Sequence, residues 1–421
     1  MLDRNKPPQI HTVEEVILPK ITHLQNSHGV NIYYHHTPGT GTFKLELFSK
    51  GSLWNAKNSA ECHQALKMLK EGTSLKSAQQ LSESIDSIGS FLEINPGFDN
   101  SSISLFGLSR YFAQNVSLLQ EIIYQPAFHE SSLAKLKKKE IDKLKQNLEK
   151  GSYIASTNLR GTLFGPEHPY GHKLRQEDIS LTTLSTIESF HKNFTLSFDI
   201  YVSGDIAIDI VPIFNQFTNI TINNSEHLGN FSDAEHQETR SEKFVQSSIK
   251  LGKRLFTRNH PDYFPFIVTN ELLGGYFGSR LMKNIREDKG LTYGIHSHLY
   301  ALNNQGYFII SSDVKGENED LVLTEINKEL HQLTQELVTK NELDTVKNYM
   351  IGAFINALSN PFSIIEKQKV IKSQQLSPNF YDHYISNVKS VTSNKIQEMA
   401  CTYLQIGTLT KSIAGSSHKI A

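Results

Sequence analysis

Cysteine is nearly absent. The 421 residues hold two, Cys62 and Cys401, far apart and without a C-x-x-C partner. That excludes a disulfide scaffold and a thiolate zinc site, and fits a reducing compartment. An excess of either charge is also lacking: 42 basic and 43 acidic residues leave a net charge of −1. Such a chain has no long-range field drawing it to nucleic acid or an anionic membrane. No apolar run approaches the ~18 residues that a membrane span requires. The polar, proline-bearing start "MLDRNKPPQIHTVEEVILPK" has no apolar core behind a basic flank, as a secretory signal would. These absences predict a soluble chain in the cytoplasm, with no nucleic-acid or membrane partner.

What remains is an ordinary globular composition, long enough for two domains at ~100–200 residues each. The polar, acidic stretch "INNSEHLGNFSDAEHQETRSE" lies near the midpoint and reads as a linker. The expected division is a first domain over 1–222, a linker over 223–242 and a second domain over 243–421. Before the linker, "FDIYVSGDIAIDIVPIFNQF" predicts a strand, a turn and an amphipathic helix. After it, "KFVQSSIKLGKRLF" begins again with an alternating strand.

The halves also share an order of elements. Helix "LSESIDSIG", strand "SFLEI", a turn at Asn95–Pro96–Gly97 and strand "SSISLFGL" make up the first set. Helix "GSRLMKNIREDKG", strand "YGIHSHLY", a turn at Asn303–Asn304 and strand "GYFIISSDV" make up the second. Antiparallel hairpins with helices on one side predict an α+β fold built twice.

One short stretch, "HQALKMLKEGT" from His63 to Thr73, raises the question of metal. His63 opens what reads as a short helix that Gly72 closes. Two histidines at i and i+4 on a helix share a face and can grip one zinc ion. A glutamate beside them can take a proton from zinc-bound water, as in H-x-x-E-H. Counted from His63, the glutamate position holds Leu66 and the second histidine position holds Lys67. Leucine neither ligates nor accepts a proton, and an ammonium repels a dication. His63 is therefore expected to be a leftover or packing residue.

With Met68, Leu69, Gly72 and Thr73 following in order, the stretch resembles the zinc helix of the insulinase, pitrilysin and mitochondrial-processing-peptidase family of metallopeptidases. The resemblance covers roughly residues 20–405. It implies two tandem homologous domains, each an antiparallel sheet with helices packed on one side. The family's third ligand, a glutamate on a later helix, falls near Asn147, with Glu140 and Glu149 close by. In the second half, "ELLGGYFGSRLMKNIREDKGLTYGIHSHLY" resembles the family's C-terminal domain. There the resemblance implies that Arg286 and Tyr293 contact substrate and the developing oxyanion. Gly274, Gly275 and Gly278 would form a backbone-exposing turn near the substrate path, with close packing as the plain alternative. "GGYFGSR" lacks the Gly-Lys-Ser/Thr of a phosphate loop.

The pattern is that of the decayed chain in two-subunit family members. It implies a non-catalytic subunit that holds no cofactor and pairs as a heterodimer with a zinc-bearing paralogous chain, the two enclosing an extended peptide. The rival expectation is a catalytically inert peptide-binding or structural assembly protein of the same fold. Two further features predict no chemistry. "HPYGH" reads as a loop, so His168 and His172 would not share a helix face. The lysine-rich helix at 133–150 reads as a solvated face.

Overall fold

The computed structural model describes residues 13, 15–222 and 236–417. Most of the stretch expected to link the halves, 223–235, lies outside the described residues. Two mixed sheets carry the chain. The first joins β1 (Thr22–Gln25), β2 (Asn31–His36), β3 (Thr42–Ser49), β4 (Phe91–Asn95), β5 (Ser101–Leu108) and β6 (Phe198–Gly204) in the order β1-β2-β6-β3-β5-β4. The second joins β7 (Gln237–Arg240), β8 (Gln246–Leu255), β9 (Thr292–Ala301), β10 (Gly306–Lys315) and β11 (Thr410–Gly415) in the order β7-β11-β8-β10-β9.

Apart from β1, the two orders are the same strand for strand. In each sheet the last strand pairs parallel with the first of the repeat, β6 with β2 and β11 with β7. All other pairs are antiparallel. The sheets are thus mixed, where the hairpin pattern alone predicts antiparallel ones. The physical reason is the long helical excursion before each closing strand, which permits a parallel return that a tight turn cannot.

Three local expectations differ from the structure. Residues 237–240, read as the end of the linker, form β7, the first strand of the second repeat. The helix expected after the Ser203–Asp205 turn shrinks to one short 3₁₀ turn, Pro212–Phe214. Ile206, Ile210, Phe214 and Phe217 are buried at helical spacing, but Pro212 offers no amide hydrogen and disfavours helix in the residue before it. The helix containing His63 starts at Ser59, because Asn58 caps it by accepting a hydrogen bond from the Glu61 amide.

Each sheet packs one face on its own half's helices. Its other face receives a helix from the opposite half, which the expectation of helices on one side omits. Helix Pro361–Ser373 crosses the first sheet, where Ile365 seats against Tyr33 and Tyr201. Helix Gly151–Phe164 crosses the second, where Leu159 and Phe164 pack with Tyr307 and Ile309. The two expected hairpin turns also meet: the Asn303 amide donates to Asp99 (3.0 Å) and its side chain to Asn100 (3.1 Å).

Candidate functional site

His63 and Lys67 lie one helical turn apart and line a cavity of about 380 Å³. Helices Glu130–Leu148 and Gly151–Phe164, the turn at Pro96–Phe98 and the loop before Leu174 complete its wall. Leu66 points elsewhere. It is fully buried in the first half's core, packed as hydrocarbon where H-x-x-E-H would place a base.

Lys67 Nζ reaches Glu140 Oε1 at 2.9 Å, and Gln64 Nε2 donates to Glu140 Oε2 at 2.8 Å. An ammonium, not a metal, is the cation that this buried carboxylate holds. Burial first, then the charge of Lys67, drive the His63 pKa down to about 4, with Glu140 opposing them and Lys143 adding a smaller push down. The ring is neutral near pH 7. The residues present do not fit a zinc ion. One imidazole stands beside two cationic side chains, and among the described residues no group of three or more His, Cys, Asp or Glu could hold a metal.

Of the three residues considered for the third family position, geometry brings two to the cavity. Glu140 and Asn147 both line the cavity, as does Lys143 between them, on one face of their helix. Glu149 lies past the helix end, with its carboxylate 3.4 Å from Lys243 on the surface. Sequence reasoning did not assign Glu140 as the partner of Lys67. The spacing Glu140–Lys143–Asn147 was the available signal. "HPYGH" is a loop as expected, yet His172 lines the cavity wall and lies 3.2 Å from Asp178. His168 is buried, with Nδ1 accepting from the Tyr170 amide.

In the second half, Arg286, from the π-helical segment Met282–Asp288, comes together with Tyr293 on β9, the edge strand of their sheet. The Arg286 Nε donates to the Tyr293 carbonyl at 3.0 Å, and its guanidinium covers the Phe277 ring at 4.6 Å. That leaves the Tyr293 side chain 93% exposed, beside a cleft of about 430 Å³ that Lys250, His296 and Asp313 also line. Neither residue lines the His63 cavity of the same chain.

Two π-helical segments, Glu271–Gly275 and Met282–Asp288, set this region. Extra residues in a helical turn re-aim the side chains that follow. Gly274 is a packing glycine: a Cβ there would meet the Ser297 amide on β9 at 2.7 Å. Gly275 and Gly278 are exposed, and a Cβ at Gly275 would collide only with the flexible Glu271 carboxylate. A third, larger cavity of about 520 Å³ lies between the halves, walled by Tyr33, Tyr201, Trp54 and several amide side chains.

Residues 188–350 match the family described as the peptidase M16 inactive domain. A protein of Bacillus subtilis named uncharacterized zinc protease YmxG is 24% identical over 346 residues, 79% of this chain and 83% of its own. One of Helicobacter pylori named non-peptidase homolog YmxG is 22% identical over 414 residues, 95% of either chain. Among solved structures, a peptidase M16 inactive domain from Pseudomonas fluorescens superposes with a TM-score of 0.82 at 21% identity, over 95% of this chain and 99% of that one. A protease from Helicobacter pylori gives 0.85 at 16% identity, over 95% and 100%. The structural likeness speaks for the fold.

Proposed function

For this chain, a relative of the M16 zinc peptidases that lacks their zinc positions, we propose the role of non-catalytic subunit in a two-chain peptidase. The carrying observation is the Arg286–Tyr293 pair. A tyrosine held on an edge strand by an arginine, and 93% exposed, has no work inside this chain. An exposed edge also offers main-chain groups to an extended peptide, which can add to the sheet as a further strand. On this reading the guanidinium of Arg286 contacts peptide carbonyls. The Tyr293 hydroxyl donates toward the oxyanion that develops in the partner's site. Zinc, the water and the general base belong to a paralogous chain with an intact H-x-x-E-H helix.

Co-purification with such a chain tests the reading, with zinc content and cleavage of an unfolded peptide measured for each chain alone and for the mixture. The mixture is expected to cleave, with zinc at one ion per pair. Arg286→Ala and Tyr293→Phe are expected to lower kcat/KM by about tenfold to a thousandfold, the range for losing a transition-state donor. Stoichiometric zinc and cleavage by this chain alone would overturn the proposal. The second reading, an inert peptide-binding protein, draws on the Helicobacter relative named a non-peptidase homolog. It predicts peptide binding with no cleavage in any mixture.

A further inference from the structure

The cavity that replaces a zinc pocket is not simply a filled one. It keeps about 380 Å³ of space, and its charges do not cancel. Glu140 is already matched by Lys67 and Gln64. Two further cations, Lys143 and Arg160, line the same space. Arg160 spends its Nε on the Tyr170 carbonyl (3.1 Å) and lays its guanidinium 5.7 Å from the centre of the Phe98 ring. Its terminal nitrogens make no hydrogen bond or ion pair among the described residues, and neither does the Lys143 ammonium. The lining also includes apolar side chains, Leu53, Phe98 and Leu144.

A guanidinium fork and an ammonium sharing one cavity with apolar side chains match a monoanionic carboxylate joined to a hydrophobic group. A dianion fits less well, because Glu140 stands on the same wall. We propose that this cavity binds a carboxylate beside an apolar side chain, as presented by the C-terminal residue of a peptide. The position vacated by metal chemistry then serves as an anchor for the end of a chain. Lys67 neutralises Glu140, and Lys143 and Arg160 take the ligand.

The inference borrows from the proposed function only the peptide as ligand source. Its test uses the isolated full-length chain, so it can fail while the two-chain result stands, and the reverse. Acetyl-dialanyl-leucine as free acid, and the same peptide as C-terminal amide, are titrated by calorimetry and by fluorescence of Trp54, the single tryptophan, next to the wall residue Leu53. The acid is expected to bind at least about tenfold tighter than the amide, as for a lost charged hydrogen bond. Lys143→Ala and Arg160→Ala should each weaken the acid by about tenfold and leave the amide unchanged, with Arg160→Lys recovering part of the loss. Lys143 is exposed, so its variant keeps the fold and the comparison. Equal binding of acid and amide would overturn the proposal, as would variants that bind the acid normally or an absence of binding at millimolar peptide. Hexanoate binding as tightly as the peptide acid supports the carboxylate site and assigns its ligand to free acids.

Discussion

His63 is half-buried between Lys67 and Lys143, and its imidazole titrates near 4 instead of near 6.5. The sign of the resulting pH dependence follows from which state binds the proton. Below pH 6.5 the unfolded chain protonates this histidine while the folded chain does not, so stability is lost as pH falls. The loss ends near pH 4, where the folded state also takes the proton. One group can contribute a slope of at most about 1.4 kcal/mol per pH unit, and residual solvent contact reduces the total to about 1–2 kcal/mol. Urea unfolding of the wild type and of His63→Gln at pH 7 and pH 4.5 checks this. The substitution is expected to remove that share of the acid sensitivity. Identical pH profiles would mean that the ring is solvated in the folded state. Lys67 was legible as a cation standing where the H-x-x-E-H pattern places a second histidine. Its carboxylate partner sits 73 positions away, on a helix whose rotation no local pattern fixes.

Elements with a strong period declared themselves, and elements held by their neighbours did not. The hairpins β4–β5 and β9–β10 are short apolar-bearing runs separated by Asn-, Pro- and Gly-containing turns, so sequence placed both, with their turns. Strand β7 reads Gln-Glu-Thr-Arg, with no alternation to betray it. It is a strand because β11 offers it a ladder, from Ser412 opposite Gln237 to Gly415 opposite Arg240. The end of the His63 helix was legible through Gly72, and its geometry explains why. Gly72 has φ +118°, and a Cβ there would meet the Lys76 carbonyl at 2.7 Å. Gly29 has φ +76° with nothing within 4 Å of the same position. Both alanine variants strain the backbone, but only Gly72→Ala also forces two segments apart. Gly29→Ala is expected to cost about 1 kcal/mol and Gly72→Ala about 2–4 kcal/mol, read as shifts in the urea midpoint. Equal shifts would show that the Gly72 turn relaxes freely.

At the scale of the whole molecule, the two halves are joined by exchanged helices, and one exchange carries buried charge. Glu46, on β3 and 1% exposed, meets Lys369 from helix Pro361–Ser373 and Lys44 from its own strand, each at 2.5 Å. Glu366 on the same helix faces both lysines, at 2.5 Å from Lys44 and 2.7 Å from Lys369. The four charges balance, and the pairing fixes where the helix of one half lies on the sheet of the other. A buried pair of this kind adds little over a hydrophobic replacement, but breaking it leaves a charge stranded. Lys369→Met is therefore expected to destabilise the protein by about 3–5 kcal/mol. Glu46→Gln combined with Lys369→Met leaves Lys44 with Glu366 and should recover most of that loss. Calorimetric unfolding of the wild type and of the single and double variants measures it. Recovery in the double variant would identify the stranded carboxylate as the source of the cost. A double variant as unstable as the single one would place the cost in lost packing of the lysine stem against the Phe48 ring, whose centroid lies 5.1 Å from its ammonium.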